Sequence, residues 1–143
     1  MKKENWIWMP YAGHFILGDE CNFRLNTYVG KYIVSTIGEL WGDSQVRKIH
    51  AQVHDKEWYA ENKDLKGDNF DVAYFKKFGF QEIGYKRLFE TMVFEAKPNP
   101  DKKFKDCVPY VIDVTKEVDF NSYDDRNKAY KGHLKLCEKW CLK

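Results

Sequence analysis

Glu90 is the first residue of this chain that could do chemistry. In LFETMVFEA strict alternation puts it on one face with Leu88, Met92 and Phe94, so a carboxylate is bracketed by apolar side chains. Such a group needs a partner or a raised pKa. Arg24 or Arg87 would make a structural ion pair, whereas a histidine would make an acid–base pair. His14, between Gly13 and the apolar run FIL, could donate or accept a proton near neutral pH, or could serve only as a hydrogen-bonded core residue. If His14 and Glu90 met, they would form a catalytic acid and base.

An anionic ligand suits the polar residues nearby in sequence. Arg24 offers a planar fork for phosphate or carboxylate, and the hydroxyls of Ser35, Thr36 and Thr91 complement such an anion, although all three are also ordinary strand residues. Trp8 and Tyr11, with Trp6, could stack on a planar ligand. Glu39 either ends its strand in solvent or shares a cavity with Glu90, where two carboxylates could divide acid and base roles.

Other combinations carry less. His50 and His54, read as residues of one strand face with Gln52, stand roughly 13 Å apart, too far for one metal, and are expected as exposed polar positions or a pocket rim. His133, Cys137 and Cys141 recur every four residues with Cys107 upstream. Three ligands along one helix span about 12 Å, so helix packing is expected and metal is not. Cys21, in DECNF, has acidic neighbours that raise its pKa and disfavour a nucleophilic role. No P-loop, GxGxxG, HExxH, GxSxG or paired CxxC occurs, and no cofactor is expected.

These residues must be positioned by an α+β domain: a largely antiparallel sheet, two short central helices and a C-terminal amphipathic helix packed on it. WIWM (6 to 9) reads as a short strand stopped by Pro10, and HFIL (14 to 17) as another. NFRLNT (22 to 27) alternates, and GKYIVSTIGEL (30 to 40) follows as its hairpin partner with Gly30 in the turn, which makes Phe23, Leu25, Ile33 and Ile37 core residues. VRKIHAQVH (46 to 54) puts Ile49, Ala51 and Val53 on one face and reads as a third strand. Asp55 can cap a helix containing Trp58 and Tyr59. Asp68 can cap DNFDVAYFKKF, ended by Gly79, with Phe70, Ala73, Tyr74 and Phe78 facing the sheet. FQEIGYKR and LFETMVFEA (80 to 96) read as strands and PYVIDV (109 to 114) as an edge strand. From Asn121, Ser122 and Asp125 form a loose capping box for a helix that presents Tyr130, His133, Leu134, Cys137 and Cys141. Gly132 is out of place in that helix.

Composition limits the function classes. At 143 residues the chain fits one domain, residues 1 to 143, and 43% hydrophobic with 32% charged residues is a globular balance. A formal charge of +2 gives no global field toward nucleic acid or membrane. The basic run KPNPDKKFKD (97 to 106) reads as a solvated loop rather than a phosphate-binding arm. The start MKKENWIWMPYAG is too short in apolar residues for a signal peptide or a membrane span, so a cytoplasmic protein with four free cysteines is expected.

Taken together, WIWMPYAGHFI, CNFRLNTYVGKYIVSTIGE and FETMVFEA resemble a family of small uncharacterised proteins encoded by tailed phages and environmental viral genomes, over nearly the whole chain. Phe89 stands where that family is expected to have tyrosine, which puts a phenol role there in doubt. The resemblance implies a viral accessory protein of the host cytoplasm and no particular mechanism. Three functions are then open. The first is binding of a nucleotide-like or other anionic small molecule, in one version a host defence signal, with Trp8, Tyr11, Arg24, Ser35, Thr36, Glu39 and Thr91 as contacts. The second is hydrolysis of a phosphoester or glycosyl bond by His14 and Glu90. The third is inhibition of a host enzyme through exposed aromatics.

Overall fold

The computed structural model describes residues 1–10, 14, 21–40, 44–78 and 88–143. Tyr11, Arg87, Gly79, the FIL part of HFIL and FQEIGYKR lie outside them. The architecture is α+β: a five-stranded antiparallel sheet in the order β1-β2-β3-β4-β5, with four helices among the described residues.

β1 (Ile7–Trp8) pairs with β2 (Cys21–Tyr28), which turns into β3 (Tyr32–Leu40). Gly30 takes φ 117° in that turn, a conformation that excludes most L side chains. β3 pairs with β4 (Phe89–Pro98), and β4 with β5 (Tyr110–Tyr123) at the edge. The edge strand is longer than PYVIDV predicts. Its register shifts opposite Val93 to Ala96, and its exposed residues mix Lys116 and Glu117 with Val114, Val118 and Phe120.

VRKIHAQVH is helical, contrary to its strand reading: it lies in α1 (Ser44–His54), followed by α2 (Lys56–Asn62) and α3 (Gly67–Phe78). Alternating Val, Ile and Ala mimic a strand, yet Gln45, Arg47, Lys48, Ala51 and Gln52 are all good helix formers and propensity prevails. In the helix Ala51 and Arg47 are buried, while Ile49 and Val53 face out. Among the described residues, Phe70 and Tyr74 of α3 pack with Ala51, Trp58, Tyr59 and Leu65 of the helical segment rather than with residues of the sheet. Phe78 is exposed, although its ring still meets Trp58 and Tyr74. Asp55 occupies the N-cap position of α2 without a capping bond, and Asp68 lies in the first turn of α3 rather than at its cap.

α4 (Arg126–Trp140) lies on the sheet as its amphipathic pattern requires, burying Ala129, Gly132, His133 and Cys137. Its cap is Asp125, which accepts a bond from the Lys128 amide at 2.8 Å. Ser122 belongs to β5 instead, and Tyr130 points outward. Gly132 is explained by packing: a Cβ there would lie 2.1 Å from the Tyr123 hydroxyl oxygen. Among the described residues no helix is long and apolar enough to cross a membrane.

Candidate active site

The two faces of the sheet divide the polar residues. Register places Ile37 opposite Glu90 and Thr36 opposite Thr91. Because successive strand residues point to opposite faces, Ser35 and Glu90 share one face, and Thr36 and Thr91 share the other.

On the first face, His14 joins the two neighbours. Its Nδ1 is 2.7 Å from Ser35 Oγ, and its Nε2 is 3.2 Å from Glu90 Oε1. All three are buried, among Ile33, Ile37 and Phe94. An ionised Glu90 only accepts, so Nε2 carries the proton and donates it to the carboxylate; in the neutral ring Nδ1 then accepts from the Ser35 hydroxyl. Carboxylate, imidazole and hydroxyl thus stand in the order that proton abstraction from a hydroxyl requires. The sequence alone suggests the His14 and Glu90 roles, but their contact spans 76 positions of chain.

Arg24 is exposed on the same face, opposite Ile37, at the rim rather than beside Glu90. The buried cation near this region is Arg47 of α1, whose guanidinium lies 5.0 Å from the Phe75 ring centroid. Sequence reading misses Arg47 because the strand assignment of its segment gives it no special place; helical spacing, with Ala51 one turn on, is the signal that finds it. Burial pushes the Cys21 thiol up to about 12, against the lowering field of Arg47 and with the raising field of Glu90. Cys21 is therefore a thiol at neutral pH and no nucleophile.

Glu39 does not turn to Glu90. Arg126 grips it with Nε on Oε1 at 2.8 Å and a terminal nitrogen on Oε2 at 2.5 Å, and Asn22 Nδ2 donates to it at 3.2 Å. The Arg126 bond holds its carboxyl below the usual range, with burial opposing. Glu39 adopts φ 54°, unusual for a side chain of its size.

On the helix face a second network surrounds His133. Thr27 Oγ1 is 2.8 Å from its Nε2, Thr36 Oγ1 is 2.7 Å from its Nδ1, and Thr36 meets Thr91 at 2.6 Å. Trp8 lies over this imidazole with ring centroids 5.4 Å apart. No charge faces it, and burial alone lowers its pKa to about 3. Both His133 nitrogens are taken by threonines, and burial pushes the Cys137 thiol up to about 12. One ligand therefore cannot touch Ser35 and Arg24 together with Thr36, Thr91 and Trp8: the sheet separates them.

In the helical layer, helix formation brings His50 and His54 to a ring-centroid distance of 4.5 Å, in place of the separation a strand would give. Tyr74 donates to Asp55 Oδ2 at 2.5 Å and lies 3.3 Å from His50 Nδ1. Desolvation lowers the His50 pKa, helped by the charge of His54 and opposed by Asp55.

No family model, curated protein or solved structure matches the chain.

Proposed function

We propose that the protein is a small hydrolase of an anionic ester, a phosphoester by preference, with His14 and Glu90 as its proton-transfer pair. The observation that carries this reading is the buried Ser35–His14–Glu90 chain. Glu90 orients His14, whose Nδ1 takes the Ser35 proton as Ser35 Oγ bonds to phosphorus and gives it to the departing alkoxide. A water deprotonated by the same nitrogen then displaces Ser35 and releases the phosphate. The buried Arg47 and the rim Arg24 favour an anionic substrate through their field. A second reading is binding without turnover, since His14 and Ser35 are buried and hydrogen-bonded to each other. Sequestration of a nucleotide by a viral accessory protein is its concrete form, in line with the resemblance to phage-encoded proteins.

One experiment separates them. The chain is incubated with a panel of phosphomonoesters, phosphodiesters and cyclic nucleotides, and the products are resolved by chromatography. Hydrolysis is expected, with kcat/KM falling by about 100-fold or more in His14→Gln and Glu90→Gln while circular dichroism shows a retained fold. Stoichiometric binding with the nucleotide recovered unchanged supports sequestration. Turnover unaffected in both variants rules out this site.

A further inference from the structure

A second chemistry is available on α1, independent of the His14 site. We propose that His50 and His54 form a chelate for a divalent transition-metal ion of the class that prefers imidazole: copper, nickel or zinc. Residues four apart on a helix are neighbours on its surface, and the two rings have centroids 4.5 Å apart at an interplanar angle of 41°. A metal–nitrogen bond of about 2.1 Å, with the ring centre about 1.1 Å beyond, predicts centroids about 4.5 Å apart for ligands at a right angle and about 5.2 Å at the tetrahedral angle. The observed spacing matches the right-angle value.

The tautomer of His50 is set for the task. Tyr74 donates its hydroxyl proton to Asp55 Oδ2 at 2.5 Å, so its oxygen can only accept from His50 Nδ1, 3.3 Å away. Asp55 Oδ2 itself lies 3.6 Å from that nitrogen. Nδ1 therefore carries the ring proton, and Nε2 presents its lone pair. An outer carboxylate that holds the non-ligating nitrogen is the usual support of a metal-bound histidine.

His54 is exposed and with Asp55 lines a cavity of about 570 Å³ that also includes Glu57, Trp58, Glu61 and Lys77. Water fills the remaining coordination positions from there. Among the described residues no three His, Cys, Asp or Glu side chains are grouped to hold an ion. Among the described residues the two imidazoles are the protein ligands, so the site is open to water and weaker than a closed structural site.

The test is a titration of the full chain with nickel chloride by calorimetry, with paramagnetic broadening of amide NMR signals to locate the ion. One nickel per chain is expected, with broadening centred on the last two turns of α1. His54→Ala, which replaces an exposed side chain, should remove saturable binding up to about 1 mM nickel. Tyr74→Phe keeps both ligands but removes the nearer acceptor of His50 Nδ1, leaving Asp55 Oδ2 at 3.6 Å, and should weaken binding by about tenfold. Affinity unchanged in His54→Ala, absence of binding in the wild type, or broadening centred on the N-terminus, the exposed cysteines or His14 would overturn the proposal.

Discussion

Two histidines occupy the two faces of one sheet in opposite settings: His14 meets a carboxylate, whereas His133 meets only hydroxyls. The second setting has a pH consequence. Burial lowers the His133 pKa from an ordinary 6.5 to about 3, so the native state refuses a proton that the unfolded chain accepts. Its contribution to stability is complete above pH 6.5 and is lost as pH falls toward 3, by up to about 1.4 kcal/mol per pH unit. Glu39, whose pKa is lowered from 4.5, acts in the same direction but only below that value. Urea midpoints measured between pH 6.5 and 4.5 should fall for the wild type and fall less steeply in His133→Gln. Equal slopes would show that His133 takes up its proton in the folded state. Sequence spacing marks His133 as an inward helix residue. Its two threonine partners come from different strands and were not legible.

At the scale of elements, α4 and β5 are fitted through a single missing methyl. A Cβ on Gly132 would overlap the Tyr123 side chain at 2.1 to 2.2 Å. Gly132→Ala should therefore destabilise by about 1–3 kcal/mol, despite a helix-propensity gain of about 1 kcal/mol. Combining it with Tyr123→Ala, which clears the space, should cost less than the sum of the two single changes. Strict additivity in denaturant melts would remove the steric explanation. The same scale explains how the hydroxyl residues sort. Period-two alternation already separates Ser35 from Thr36 and Glu90 from Thr91, so their division between faces is present in the sequence once the strands are accepted. The α1 segment is the reverse case, because its Val, Ile and Ala spacing satisfies a strand while its remaining residues favour a helix.

Among the described residues of the molecule, α1 to α3 have a core cluster apart from those of the sheet. Ala51, Phe70 and Tyr74 form one cluster with Trp58, and no buried member of it belongs to the clusters around Val34 and Val93, Ile33, or Phe89. Separate cores open separately. Amides of α1 to α3 should exchange with solvent faster than those of β3, which is hydrogen-bonded on both sides. Phe70→Ala removes a fully buried ring and should cost about 3–5 kcal/mol, read as lost protection in α1 to α3 with β3 nearly unchanged. An equal loss in β3 would mean that the two layers unfold as one unit.

Patterns along the chain are enough for the α+β class, the β2–β3 hairpin around Gly30, the inward turn of Glu90 and the amphipathic face of α4. Each follows from periodicity or from a backbone conformation that a few adjacent residues impose. Long-range packing is what brings Glu90 to His14 and Arg126 to Glu39, and what buries Arg47 rather than Arg24. Those outcomes depend on which strands pair and which helix turns inward. A carboxylate encodes its need for a partner, but the choice of partner is made by packing over the whole chain.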